Sequence, residues 1–199
     1  MKMTDAVAQE SLALRARYDE EPSHSDHVTA LAVQIFDGLS SWHKMGPRSR
    51  ELLHSAALLH DIGWSQTPDG KDHHKWSARL ILEYAWKTLT PEEMSLVAQV
   101  ARYHRKAPPE PGHAEFHTLK AAVQKSVMIL GGILRVADGL DRTHTGKIAR
   151  VEASATKEAI VVRVQPTGTW NAERVAFEVK SDMLQMAARR SVHCEELKD

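Results

Sequence analysis

Apolar residues recur every three or four positions along five successive stretches of this chain, and histidines or acids fall on the same stripes. From Ser23 onward, Val28, Leu31, Ala32, Ile35 and Leu39 define one buried helical face. A second helix is predicted over about 48–60, with Leu52, Leu53, Ala56, Ala57 and Leu59 packed, Pro47 near its start and Gly63 as its stop. A third, about 74–87, carries Ala78, Ile81, Leu82 and Ala85. The fourth, about 90–105, opens on Thr90-Pro91-Glu92-Glu93, where Thr90 can cap and Glu93 can complete a capping box. The fifth, about 116–141, holds Val123, Val127, Leu130, Leu134 and Ala137, after a loop at APPEPG, 107–112.

The period then changes. IARVEASAT, 148–156, and AIVVRVQ, 159–165, alternate around Lys157-Glu158 and predict a hairpin. Over 174–190 two periods compete, and the expectation is a short strand (Val175, Phe177, Val179) followed by a terminal helix. The fold class is therefore mainly α: a helical bundle followed by a small β-containing C-terminal tail. The expected division is a helical extension over 1–22, a helical module over 23–146 and an α+β subdomain over 147–199.

The titratable residues on those helices point to chemistry. His24, His60, His74, His104 and Asp138 each continue an apolar stripe, and Asp61 follows His60 directly at a helix end. One buried histidine is more often a satisfied core residue, but six inward His/Asp groups from five helices need a shared partner, because unpartnered buried polar groups cost a few kcal/mol each and ionised ones far more. Imidazole and carboxylate suit divalent metals, with Mn or Fe the leading candidates and Mg, Zn, Ni or Co open. Four such groups suit one ion and six suit two. His73 competes with His74 as ligand; the spacing to Ser77 and the third helix's stripe favour His74.

In order, His24, His60-Asp61, His74, His104 and Asp138 resemble the H…HD…H…H…D signature of HD-domain metal-dependent phosphohydrolases. The wording ALLHDIGWS, HHKWSA, ARYHRK and ILRVADGLDRTH is similar to the C-terminal HD region of the exopolyphosphatase/guanosine pentaphosphatase (Ppx/GppA) family, here as a stand-alone domain. The resemblance spans most of 20–190. It implies a two-metal site in which His24, His60 and Asp138 hold one ion, His74 and His104 hold the other, and Asp61 bridges, with Asp61 and His60 as catalytic residues. Two departures stand out. The actin-like nucleotidase domains that carry that family's polyphosphatase chemistry have no counterpart in these residues, and Trp64 occupies a position where many nucleotide-cleaving HD enzymes place Lys.

Cations cluster beside the predicted ligands. Arg105 and Arg142, then Lys75, Arg102 and Lys106, are the candidate contacts to a substrate phosphate, with Arg able to bind its oxygens bidentately. The expected activity is hydrolysis of a phosphomonoester, nucleotide or phosphoanhydride. The alternatives are a non-catalytic module binding polyphosphate or an alarmone, and a di-iron oxygenase of the HD type. His27 could support His24 or simply pack, and His144 could aid a substrate phosphate, although a solvated helix end is the better reading for it. His43, His54, His113, His117 and His193 read as structural or surface residues.

Composition sets the outer bounds. Lys+Arg and Asp+Glu balance at 26 each, which gives no global pull toward nucleic acid or anionic membrane, so the expected partner is a small phosphorylated molecule, with a homodimer possible. The single cysteine, Cys194, excludes an intrachain disulfide, and the N-terminal stretch MKMTDAVAQESLALRARYDEE has no apolar core segment, so a cytoplasmic location is expected.

Overall fold

A computed structural model describes residues 3–197. The chain runs through α1 (Met3–Tyr18), α2 (Pro22–Gly38), α3 (Ser40–His43), α4 (Pro47–Leu58), a 3-10 turn (Ile62–Gln66), α5 (His73–Glu83), α6 (Pro91–Arg102), α7 (Ala114–His117) and α8 (Ala121–Gly139). It continues through β1 (Ile148–Ala155), β2 (Ala159–Pro166), α9 (Asn171–Lys180), α10 (Asp182–Ala188) and β3 (Ser191–Glu196). The fold is mainly α.

Helix α8 is the axis of the bundle, with every residue from Ile129 to Gly139 buried. Burying a Leu, Ile or Val side chain is worth roughly 1.5–3 kcal/mol, so Ile133, Leu134 and Val136 anchor the helix firmly. The predicted cap of α6 is present: Glu93 N donates to Thr90 Oγ1 at 3.3 Å and Thr90 N donates to Glu93 Oε2 at 2.9 Å. Pro47 and Pro91 sit in the first turns of α4 and α6, where their missing N–H costs nothing. Helix α1 packs through Val7 and Leu14, and Ser11 donates a buried hydrogen bond to Ser55 on α4 at 2.9 Å.

The hairpin forms as predicted, with β1 antiparallel to β2. Three other expectations fail. Helix α5 ends at Glu83 and leaves Leu82 45% exposed, because Leu80 rather than Leu82 joins Ala78 and Ile81 on the buried side. The predicted fifth helix is two, because Lys120 is extended (φ −59°, ψ 146°) and Gln124 Nε2 donates to the Leu119 carbonyl at 2.9 Å, satisfying the chain between α7 and α8. The predicted strand over Val175–Val179 is helix α9, because its 3.6 period buries Glu173, Ala176 and Phe177 on one face and so overrides the Val-Phe-Val alternation. The strand comes later instead. β3 pairs parallel to β2, with Val192 and Cys194 on the more covered face.

The C-terminal elements dock tightly on α8. A side chain at Gly132 would meet the Leu184 backbone at 2.8 Å, so α10 crosses α8 at backbone distance. Buried Arg135 donates to Asp182 at 2.9 and 2.8 Å and to the carbonyls of Tyr103 and Lys106 at 3.1 and 2.8 Å. That single side chain ties α8, α10 and the turn after α6 together.

Candidate metal centre

Helix ends bring the titratable residues together. His24 lies in the first turn of α2, His60 and Asp61 follow α4, His73 opens α5, His104 follows α6 and Asp138 is next to last in α8. His24, His60 and Asp138 offer ligand atoms all within 4.8 Å of one another, and so do Asp61, His73 and His104. Asp61 sits between the two groups. Its Oδ1 lies 3.1 Å from His73 Nε2 and 3.2 Å from His104 Nε2, while its Oδ2 lies 3.5 Å from His60 Nε2 and 3.8 Å from His24 Nε2.

The far nitrogen of each imidazole is committed elsewhere. His60 Nδ1 donates to the Ala57 carbonyl at 2.7 Å, His104 Nδ1 to the Ala101 carbonyl at 2.7 Å and His73 Nδ1 to the Gly70 carbonyl at 2.8 Å. His24 Nδ1 donates to the buried Asp141 carboxylate at 2.8 Å. A carbonyl can only accept, so in His60, His73 and His104 the proton sits on Nδ1 and the Nε2 lone pair aims at the centre. Those lone pairs then meet carboxylate oxygens and one another, with His73 Nε2 only 3.3 Å from His104 Nε2. Acceptor against acceptor is unfavourable without a cation between them. His24 Nε2, His60 Nε2 and Asp61 Oδ1 are buried without a hydrogen-bond partner, and a donor set of imidazole and carboxylate with outer hydrogen bonds fits divalent metal.

The predicted ligand His74 lies outside both groups, and His73 takes its place. Helix α5 buries two faces, and its His74-Ala78-Ile81 stripe is directed into the core, where the His74 ring lies edge-on to His104 at 6.5 Å. His73 instead shares a face with Ser77, four residues on, whose Oγ accepts from Gly63 N at 2.9 Å. A side chain at Gly63 would meet the His73 carbonyl at 2.1 Å. Only glycine lets the turn after His60-Asp61 approach α5 this closely. Trp64 then stacks on the His73 ring at 4.5 Å.

The electrostatics divide the site. Burial holds His104 down to about 4, and burial with the neighbouring His104 and His73 holds His74 down to about 3, so both are neutral. His24 differs: burial opposes its charge, but the Asp138 and Asp141 carboxylates beside its two ring nitrogens outweigh burial and raise it to about 10, so a cation bound there would replace the Nε2 proton. Burial opposes the ionised form of Asp138, yet the Lys180 ammonium beside it holds the carboxyl well below the usual carboxylate range. Cys194 carries no nucleophile, since burial and nearby glutamates push its thiol up to about 12.

A cleft of about 410 Å³ opens over Asp61, His73, His104 and Asp138, walled by Trp64 and His144 and fringed by Arg105, Lys106, Arg142 and Lys180. Arg105 Nη1 lies 2.9 and 3.2 Å from the two His73 ring nitrogens, so it rides on the ring and stays at the cleft. The other two predicted cations sit elsewhere. Lys75 is exposed and pairs with Asp72, and Arg102 pairs with Glu115; both line a side pocket with His74. They stay there because α5 and the last turn of α6 turn those side chains away from the His73 face.

Asp141 and Lys180 escape sequence reading, and for His144 the sequence favours a solvated helix end over a phosphate aid. Asp141 lies one helical turn past Asp138, a spacing that could have flagged it. His144 stacks on His24 at 3.7 Å, pairs with Glu21 and takes a left-handed φ of 54°, so it is part of the cleft wall rather than a solvated helix end. Lys180, at the end of α9, contacts Asp138 through a side chain that no local pattern predicts.

A helical bundle whose helix ends converge on buried histidines and aspartates is thus the class of protein that fold and site define. The sequence matches the family described as Ppx/GppA phosphatase, domain III, over residues 8–183, and the chain belongs to that family. The match runs from α1 into α10, so it takes in both the bundle and the hairpin. Among the described residues, no helix is long and apolar enough to cross a membrane.

Proposed function

We propose that this chain is an HD-type, metal-dependent phosphohydrolase acting on a small phosphomonoester, nucleotide or phosphoanhydride in the cytoplasm. The observation that carries the reading is the convergence of four Nδ1-anchored imidazoles on Asp61 and Asp138 beneath a cleft fringed by cations. His24, His60 and Asp138 would hold one divalent ion, and His73 and His104 the other, with Asp61 placed between the two groups. A pair of divalent ions supplies acidified water and neutralisation of phosphoryl charge.

The chain's own residues do the rest. Arg105, Lys106, Arg142 and Lys180 bind and orient the phosphate oxygens, where a charge-assisted hydrogen bond is worth about 1.5–3 kcal/mol. Trp64 and His144 narrow the mouth and limit water to the reacting face. The carbonyls of Ala57, Gly70 and Ala101 and the Asp141 carboxylate hold the imidazoles in the ligating tautomer.

The test is phosphate release from a broad panel of phosphate esters and anhydrides by Mn-loaded protein under anaerobic conditions. Metal-stimulated turnover that Asp61→Ala removes is expected. Metal-replete protein inert across the panel would overturn the hydrolase reading, and activity that requires oxygen would replace it with oxygenase chemistry.

A further inference from the structure

Helix α9 carries two apolar stripes. Ala176 and Phe177 pack against the bundle, but Val175 and Val179 are 58% and 68% exposed, one helical turn apart. A β-branched pair on an exposed helix face contributes little to helix propensity and leaves apolar surface in water. The two valines line a groove of about 580 Å³ whose other walls are Asn171, Ala172, Ala176, Arg142 and Lys180. Arg142 and Lys180 also line the cleft over the His/Asp centre. Cleft and groove therefore meet at two cations, one side polar and the other apolar.

We infer that this groove takes the apolar leaving group of the substrate, which makes the substrate a phosphomonoester of a long-chain or similarly apolar alcohol. The inference rests on the phosphohydrolase reading for its phosphate end. With the phosphate drawn in by Arg105, Lys106, Arg142 and Lys180, the ester oxygen exits between Arg142 and Lys180 and the chain lies along Val175 and Val179. In the reaction, water oxygen bonds to phosphorus, the bond from phosphorus to the ester oxygen breaks, and the protons of water end on the leaving alcohol and on the phosphate released. A nucleoside is a poorer occupant, because Asn171 is the one uncharged polar residue among the groove's walls and no aromatic ring lies there to stack on a base. A second copy of the chain is poorer too. A symmetric contact through this stripe would bring Arg142 toward its own counterpart, and like charges oppose that.

Two matched series test the assignment: hydrolysis of n-alkyl phosphates from ethyl to octyl by the Mn-loaded protein, and calorimetric binding of the corresponding n-alkylphosphonates. Partial burial of each methylene against this open groove predicts a rise in kcat/KM and in affinity of up to about twofold per methylene until the groove is filled. The octyl-to-ethyl ratio should collapse in the double variant Val175→Asn, Val179→Asn. Hydrolysis with no dependence on chain length, or a ratio the double variant leaves intact, overturns the groove and leaves the phosphohydrolase reading standing. Chain-length-dependent phosphonate binding without any turnover does the reverse. If neither series shows binding or turnover, both fall. A double variant that turns a dimer into a monomer while keeping the octyl-to-ethyl ratio assigns the stripe to contact between copies and refutes its role in substrate binding.

Discussion

Replacing Asp141 by Asn should weaken one metal position while leaving the other intact. Asp141 is 1% exposed and accepts two hydrogen bonds, from His24 Nδ1 at 2.8 Å and from Gly146 N at 2.9 Å. Asn keeps the shape but offers one oxygen and one NH2 group, so a donor must face either the histidine or the glycine. No water can take over at that burial, and the anion that raises His24 basicity is gone. Loss of such an outer partner costs ten- to a hundredfold in metal affinity, or about 1.4–2.7 kcal/mol, and the buried donor clash places this variant near the upper end. The assay is a Mn titration by calorimetry, fitted with two classes of site. The weaker affinity should appear in one class alone, since His73, His104 and Asp61 make no contact with Asp141. Two unchanged classes would refute the idea that Asp141 orients His24.

The other expectations are more compact. Lys180→Gln should raise KM for a phosphomonoester at least tenfold, the equivalent of one lost charge-assisted hydrogen bond at about 1.5 kcal/mol or more, with bound metal unchanged by elemental analysis. An unaltered KM would remove Lys180 from the phosphate site. Gly63→Ala should separate the turn after Asp61 from α5, since its methyl group would meet the His73 carbonyl at 2.1 Å; a lowered melting temperature and one lost metal equivalent are expected, and a wild-type melt would contradict the close approach. Glu93→Ala should cost about 1–2 kcal/mol near neutral pH through the lost capping box and Arg48 pair. Hydrogen bonds from Arg48 hold the Glu93 carboxyl down at about 2, against an ordinary 4.5. A depressed carboxyl stabilises the fold above its unfolded value and loses that contribution as pH falls toward its folded value, so the difference between variant and wild type should fade between pH about 4.5 and 2 in urea titrations; a gap that persists at acid pH would contradict it.

Much of this architecture is legible in single stripes of sequence. Val28 to Leu39 and Leu52 to Leu59 announce their helices because each helix buries one face, and Thr90 with Glu93 announces a cap because its hydrogen bonds are local. What the sequence hides depends on partners far along the chain. His73 and His74 are adjacent and both buried, so burial cannot rank them; the choice depends on the contact between Gly63 and α5. Lys180 reaches Asp138 only because Gly132 and Arg135 seat the C-terminal helices on α8. Helix α9 shows the same limit in another form. Its exposed Val175 and Val179 mimic a strand's alternation, and only the buried Ala176 and Phe177 disclose the helical period.

The central claim, a two-ion centre in which His73 and not His74 is a ligand, is tested most directly by metal content per chain. Protein purified without chelator and without a histidine tag would be reconstituted with Mn and measured by elemental analysis alongside His73→Ala and His74→Ala. Two equivalents in the wild type, one in His73→Ala and two in His74→Ala are predicted. No metal in the wild type, or a loss confined to His74→Ala, would contradict the account.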